Sequence, residues 1–269
     1  EQNRLLDKVY NAFVRNGISL PEDKQARMRE INAELSTLQQ KFGNNLLAET
    51  NAFQLVLESE EDLVGLPEAV RTAAAEAAKA AGMEGKWLIG LQNPSRIPFL
   101  QYSERRDLRE KVYKAYIERG NNGNENDNKE IVLQIMKLRI EKANLLGFET
   151  SADFILDDTM AKKSDVVNSF LLDIFKAANE KAKAELAEMQ AIADREGNGV
   201  KVEAWDWDYY TEKVRQEKYA MSEDEIKPYF QMENVRAGMF ALANRLYGLN
   251  FEKLNDMPLF TPEAECFKV

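Results

Sequence analysis

The sequence predicts a mainly α fold, a multi-helix bundle carrying one small β-hairpin or sheet. Three observations predict it. Met28, Ile31, Leu35, Leu38, Phe42 and Leu46 recur at spacings of three and four, which draws one apolar stripe along a long helix. Val167, Phe170, Leu171, Ile174, Ala178, Leu186, Met189 and Ile192 repeat that pattern between Ser164 and about Arg195. Glycines stand where such runs stop, at Gly82, Gly147, Gly197, Gly199 and Gly248, as they do just past helix ends. Apolar residues make up 44% of the 269, enough to bury a core, so global disorder is excluded. The whole span 1–269 is read as one helical body.

The elements follow in order. Ser19 is a candidate cap, with Pro21 in the first turn of the long helix that bears the Met28–Leu46 stripe. That stripe suits either a coiled-coil partner or packing inside a bundle, and packing is the simpler reading. Leu66-Pro67 opens an alanine-rich helix that Gly82 ends. From Lys86 to Tyr102, Trp87-Leu88-Ile89 and Phe99-Leu100-Gln101-Tyr102 flank Asn93-Pro94-Ser95, which predicts two short strands joined by a turn. Pro98 would then lie at an edge, since it cannot donate to a ladder.

Ser103 is expected to cap a helix carrying Leu108, Val112, Ala115 and Tyr116. Residues 120–128, Gly-Asn-Asn-Gly-Asn-Glu-Asn-Asp-Asn, form an exposed connection rather than a domain boundary, because helical patterning resumes at once. Ile131, Ile135, Leu138 and Leu145 mark the next helix, and Ser151 to Asp158 a short one. Beyond the long Ser164 helix, Val200 to Glu203 is extended and Trp205 to Tyr219 helical. Ser222-Glu223-Asp224-Glu225 fits a capping box whose helix Pro228 cuts short. A last helix covers about Val235 to Leu246, and Cys266 to Val269 begins a strand. The opening Glu1-Gln2-Asn3-Arg4 has neither an initiator Met nor a signal segment, so both ends are expected to be internal to a longer chain.

Composition excludes several functions. There is no histidine, so a Ser-His-Asp triad, a Cys-His dyad or an H-E-x-x-H zinc helix cannot be built from these residues. Lys and Arg number 36 against 46 Asp and Glu, a net charge of −10, which opposes phosphate-backbone binding and adsorption to anionic membranes. No stretch approaches the roughly 20 apolar residues that span a bilayer. Cys266 is the only cysteine, so no internal disulfide forms, and it reads as an inert small hydrophobe. No glycine-rich phosphate cradle is present, and neither Asp157-Asp158 nor Glu60-Glu61-Asp62 has the alternating ligands of a calcium loop.

The densest chemical cluster is Trp205-Asp206-Trp207-Asp208-Tyr209-Tyr210. Two carboxylates beside aromatic rings suit a sugar cleft with an acid and a base. On a helix, however, Asp206 and Asp208 diverge by about 200°. They are better read as carboxylates near a helix start, with the aromatics filling the core.

Gly85-Lys86-Trp87-Leu88, Gln92-Asn93, Leu108-Arg109, Met160-Ala161-Lys162, Ala204-Trp205-Asp206-Trp207-Asp208-Tyr209-Tyr210, Val214-Arg215, Lys218-Tyr219, Ile226-Lys227-Pro228-Tyr229-Phe230 and Leu246-Tyr247-Gly248-Leu249-Asn250-Phe251 stand in this order. Together they resemble bacterial peptidyl-dipeptidases (dipeptidyl carboxypeptidases) of the thimet oligopeptidase family, over essentially the whole chain. The W-D-x-x-Y run and the K-P-Y-F segment are the most specific parts. The resemblance implies a helical ellipsoid whose two halves flank a channel. It implies a zinc enzyme that releases dipeptides from the C-terminus of short, unstructured peptides. It implies a zinc held by the two His of H-E-x-x-H and a downstream Glu, with the Glu of the motif activating water.

This chain departs from that pattern, because neither the motif nor any His is present. It resembles the portion before the active-site helix, part of one half of the enzyme, with the C-terminal catalytic half as its missing partner. No catalytic or metal residue is assigned here, no zinc is expected to be bound by this chain, and the substrate contacts are unidentified. The chain alone is expected to be inactive, to form channel wall and to self-associate through exposed apolar surface. Its compartment is expected to be cytoplasmic or periplasmic, and no nucleic-acid or membrane partner is expected. The alternatives are a stand-alone helical binding or scaffold module and, less favoured by geometry, a glycosidase using Asp206 and Asp208.

Overall fold

The computed structural model describes residues 1–197, 199–219 and 223–269 and is mainly helical. It divides into two compact units, Glu1–Val214 and Arg215–Val269.

The first unit opens with α1 (Gln2–Arg15) and the long α2 (Glu22–Ala52). The predicted helix after Ser19 is there, but Pro21 occupies its cap position and no side chain caps it. Its stripe packs as expected of a bundle. Ile31 and Leu35 bury against Ile131, Ile135 and Leu138 of α6 (Lys129–Leu145), with Leu38, Phe42 and Leu145 partly buried around them. Arg27 clamps the two helices from outside, giving Nε and Nη2 to the two oxygens of Glu141 at 2.7 and 2.9 Å. Buried Asn45 donates to Asn128 at 2.9 Å, so the polar groups inside this seam are paired.

The predicted hairpin is corrected. β2 (Trp87–Ile89) is a strand, but its partner is β1 (Leu55–Leu57), antiparallel with Leu55 opposite Ile89 and Leu57 opposite Trp87. Phe99–Tyr102 belongs instead to α4 (Asn93–Tyr102), which has Pro94 in its first turn and Pro98 inside it. Pro94 is preorganised for a helix start. Pro98 removes one backbone donor, and the cost is offset by complete burial of Phe99 and Leu100. A ribbon of two three-residue strands is marginal alone. It persists because Leu55, Leu57 and Ile89 join Leu63, Leu66, Leu91, Phe99, Leu100 and Val112 in one core under the alanine face of α3 (Glu68–Ala80).

Ser103 does not cap the next helix directly. It is buried, its Oγ accepts from the Arg105 amide at 3.3 Å, and α5 (Arg106–Ile117) begins three residues on. Residues 118–128 connect α5 to α6. α7 (Ser151–Asp157) follows, and Thr150 Oγ1 accepts from the Asp153 amide at 3.1 Å as its cap.

α8 (Ser164–Arg195) has the predicted length, but its apolar face is corrected. Only Met189, Ile192 and Ala193 bury, against Val202, Tyr209 and Tyr210. Phe170, Leu171, Ile174 and Phe175 are 50–63% exposed. Periodicity shows that a helix has an apolar side but not whether anything covers it. Leu5, Leu6, Val9, Tyr10 and Phe13 of α1, a helix outside the sequence expectation, are exposed in the same way. Val200–Glu203 has no regular structure, and within it Glu203 is extended at φ −112° and ψ 175°. Ala204–Asp206 forms one 3₁₀ turn, and α9 (Trp207–Tyr219) continues from it.

In the second unit, α10 (Glu223–Ile226) leads into a 3₁₀ turn, Lys227–Tyr229, that contains Pro228. Ser222 of the predicted capping box lies outside the described residues. α11 (Met232–Tyr247) ends at Gly248, left-handed at φ +70°. Phe240 stacks on Phe251 at 4.1 Å and meets the edge of Phe267 at 5.0 Å. That aromatic cluster backs a second two-stranded sheet, β3 (Glu252–Leu254) antiparallel to β4 (Cys266–Lys268). The expected terminal strand is therefore present, and the sheets number two among the described residues rather than the single one expected.

One glycine is irreplaceable on steric grounds. Gly65 has φ +85°, and a Cβ there would overlap the Tyr102 carbonyl oxygen. Gly82 has φ +77° with open space around it. Gly65→Ala should therefore cost roughly 3 kcal/mol, and Gly82→Ala only about 1 kcal/mol, the left-handed strain alone. Urea unfolding of both variants checks this, and equal losses would contradict it.

Candidate functional site: a buried ion-pair junction

Trp205-Asp206-Trp207-Asp208-Tyr209-Tyr210 is the segment to which the sequence points for chemistry, and its two carboxylates have unlike fates. Asp206 is fully buried and Asp208 is exposed. The Asp206 backbone closes the 3₁₀ turn, and its side chain accepts from the Glu203 amide at 3.1 Å in a reciprocal capping box. Arg106 reaches both Asp206 oxygens, with Nη2 2.9 Å from Oδ2, and Arg109 Nη2 lies 2.7 Å from Oδ1. Asp206 pushes the Arg106 guanidinium above its ordinary range through these hydrogen bonds, against the opposing effect of burial.

Arg109 is itself 2% exposed. Its Nη1 donates to the Ser103 carbonyl at 2.6 Å, and its guanidinium lies 4.1 Å from the Tyr209 ring centre. Gln101 of α4 donates to Glu212 of α9 at 2.8 Å. The junction thus ties the end of α4, α5 and the start of α9 together. Its aromatics are structural: Trp205 meets Tyr113 edge-on at 6.5 Å, and Tyr209 meets Tyr210 at 5.1 Å. An acid and a base flanking one substrate are absent from this arrangement, which removes the glycosidase reading.

Tyr210 donates to Glu196 at 3.1 Å, beside the Lys213–Glu196 ion pair. Burial, helped by the Glu196 charge, pushes its phenol up to about 12.

A second buried anion, Glu49, was not anticipated. It accepts from the Gly120 amide, from Asn122 Nδ2 at 3.0 Å to each oxygen, and from Asn124 Nδ2 at 2.8 Å. Burial pushes Glu49 up, and the Asn122, Gly120 and Asn124 hydrogen bonds outweigh it to hold the carboxyl below its ordinary range. Its signal was present in the sequence. Glu49 sits three residues past Leu46 and seven past Phe42, a charge on the apolar stripe. Arg109 likewise sits three before Val112.

Beside Glu49 opens a cleft of about 520 Å³, lined by Phe53, Leu91, Lys111, Lys114 and Arg119 among others. Another of about 450 Å³ lies between Arg15, Phe148, Phe154, Asp157 and Lys162. Among the described residues, no three His, Cys, Asp or Glu side chains are grouped to hold a metal ion. Asp206, the best-buried carboxylate, already has both oxygens bound to guanidinium groups. These residues do not fit a zinc site. No helix among the described residues is long and apolar enough to cross a membrane.

Asp206→Asn should cost about 3–5 kcal/mol, because it strands the buried Arg109 charge, while Asp208→Asn should change stability by less than about 0.5 kcal/mol. Denaturant unfolding of the two variants distinguishes them, and similar losses would refute the assignment. Tyr210 adds an alkaline signature. Its folded pKa lies above the ordinary value of 10.0, so its contribution is full below pH 10 and is lost as pH rises toward about 12. Tyr210→Phe should flatten the stability profile across that window, measured by unfolding at stepped pH, and an unchanged slope would contradict it.

The whole chain aligns with known peptidases. It is 36% identical over 270 residues to dipeptidyl carboxypeptidase of Salmonella typhimurium, covering 100% of this chain and 40% of that protein. It is 35% identical over 272 residues to oligopeptidase A of the same organism, again with 100% and 40% coverage. Organellar oligopeptidase A of Arabidopsis thaliana is 31% identical over 278 residues, covering 100% of this chain and 35% of that protein. The chain thus spans about 40% of the length of the first of these curated relatives. Residues 99–269 match Peptidase family M3, a span that contains Arg106, Arg109 and Asp206. The resemblance carried by the W-D-x-x-Y and K-P-Y-F segments is one of descent, and the chain belongs to peptidase family M3.

Proposed function

We propose that this chain is a non-catalytic portion of a zinc-dependent peptidyl-dipeptidase. In this reading the whole enzyme removes dipeptides from the C-terminus of short, unstructured peptides, and these helices supply wall to the channel that admits them. The observation that carries the reading is the alignment of all 269 residues with 40% of a dipeptidyl carboxypeptidase. The absence of histidine supports placing the zinc ligands and the water-activating carboxylate in a further, catalytic half of the protein. Peptide hydrolysis in general is supported equally by the oligopeptidase A relatives. Removal of dipeptides rests on the dipeptidyl carboxypeptidases alone.

A wall role suits the chemistry of the junction. Asp206 and Arg109 engage each other, which ties α5 to the turn before α9. A narrow channel selects by access, because a flexible chain threads where a folded one cannot. The exposed apolar faces of α1 and α8 fit a body that is covered elsewhere in the full protein, since monomers rarely show patches of that kind. The same faces are the observation that favours the second reading, a helical binding module.

Purified alone, the 269-residue chain should bind no stoichiometric zinc, cleave no peptide and self-associate as its concentration rises. The complete protein should release C-terminal dipeptides and lose that activity to a chelator. Metal analysis, peptide product mapping and sedimentation velocity test this. One tightly held zinc per isolated chain, or metal-dependent hydrolysis by it, would overturn the division of labour. Internal cleavage by the complete protein, without dipeptide release, would favour an oligopeptidase A activity.

A further inference from the structure

The 120–128 connection contains the pair Asn122-Gly123. An Asn followed by Gly is chemically labile, because no Cβ obstructs the approach of the glycine nitrogen to the asparagine side-chain carbon. In that reaction the Gly123 backbone nitrogen loses its proton and bonds to Cγ of Asn122. The Cγ–Nδ2 bond breaks, and Nδ2 leaves with a proton as ammonia. Water then opens the cyclic imide at one of its two carbonyls, giving aspartate or isoaspartate. Solvent is the only co-reactant, and no redox step is involved.

Both reacting groups are restrained here, each by a different carboxylate. Asn122 Nδ2 is bound to both oxygens of Glu49 at 3.0 Å. Glu49 is held in turn by the Gly120 amide and by Asn124 Nδ2. The Gly123 N–H donates to Asp127 Oδ2 at 2.8 Å, and Asp127 is fixed by Lys129 at 2.5 Å and by the Lys129 amide at 2.9 Å. The attack needs both restraints released. Its product would put a carboxylate where an amide donor now meets the buried Glu49, and two like charges at that separation cannot rebuild the contact.

We propose that Asn122-Gly123 is a deamidation site latched by Glu49, and that its conversion irreversibly releases the α5–α6 connection. The latch is local. It joins the last turn of α2 to a nine-residue loop and shares no side chain with the Asp206 junction.

Asn16-Gly17 provides an internal clock with no bond to Glu49: its exposed amide donates to the Ala12 carbonyl at 2.9 Å and the Gly17 N–H to the Val14 carbonyl at 2.8 Å. Protein held at mildly alkaline pH, native or in urea, is digested and mapped by mass spectrometry with isoaspartate resolved. Native Asn122 should convert at least about tenfold more slowly than in urea, as a reaction gated by local opening requires. Glu49→Gln should raise the native Asn122 rate severalfold, still short of its urea rate because the Gly123–Asp127 restraint remains, while leaving Asn16 unchanged. Asn122→Asp should lower the melting temperature in the wild-type background and lower it less in the Glu49→Gln background. Equal Asn122 rates in native protein and urea, or in wild type and Glu49→Gln, would overturn the proposal. Acceleration of Asn16 and Asn122 together by Glu49→Gln would also overturn it, since protection would then belong to the fold as a whole.

Discussion

The first unit depends on the burial of Asp206 with Arg109. A carboxylate and a guanidinium removed from water lose several kcal/mol of solvation each, and their attraction repays that only when the remaining polar atoms are also satisfied. Here Asp206 has two guanidinium groups and a backbone amide, and Arg109 has a carboxylate, a carbonyl and a ring face, with its buried Nε left unpaired. Each partner comes from a different element: the turn before α9, the start of α5 and the end of α4. None can move without stranding a buried charge. The pair therefore fixes geometry more than it adds stability. That also explains why an acidic, aromatic segment that suggests catalysis is occupied with holding helices in register.

Glu49 solves the same problem differently. It is buried without a cation among its hydrogen-bond partners, and its charge is distributed over one backbone amide and two asparagine side chains. Amides stabilise an anion through dipoles, which need closer alignment than a guanidinium fork does. Two of the five asparagines of the 120–128 connection, Asn122 and Asn124, are thus ligands of a buried charge, and Asn128 is bound to Asn45 and the Phe42 carbonyl. Composition alone marks the segment as a loop, and only the contact with α2 shows what Asn122, Asn124 and Asn128 do there.

Much of this architecture was legible because helices carry their signal locally. Ser164–Arg195 and Lys129–Leu145 follow from apolar spacing and a terminating glycine, and the strand at Cys266 from alternation. α1 was legible too, since Leu5, Leu6, Val9, Tyr10 and Phe13 have helical spacing, although the expectation starts only at Ser19. The hairpin was not. Leu55–Leu57 is three residues long and pairs with Trp87–Ile89 some thirty residues away, so no local pattern names the partner. Phe99–Tyr102 has strand-like composition, but Pro94 sets a helix start and burial of Phe99 and Leu100 overrides propensity. Burial on α8 was equally hidden, because Phe170 and Ile192 look alike in a periodicity count and differ only in what lies against them.

The two anions also differ in permanence. A guanidinium–carboxylate contact broken by fluctuation reforms, since nothing covalent has changed. An amide–carboxylate contact that includes Asn122 before Gly123 is under a slow chemical threat each time it opens. The same carboxylate that needs the amide for solvation restrains it from reacting, so fold stability and chemical lifetime are coupled at Glu49. A chain whose charge is already −10 gains nothing electrostatically from one more carboxylate facing a buried one. The coupling therefore runs one way: weakening the latch hastens a change that removes the latch.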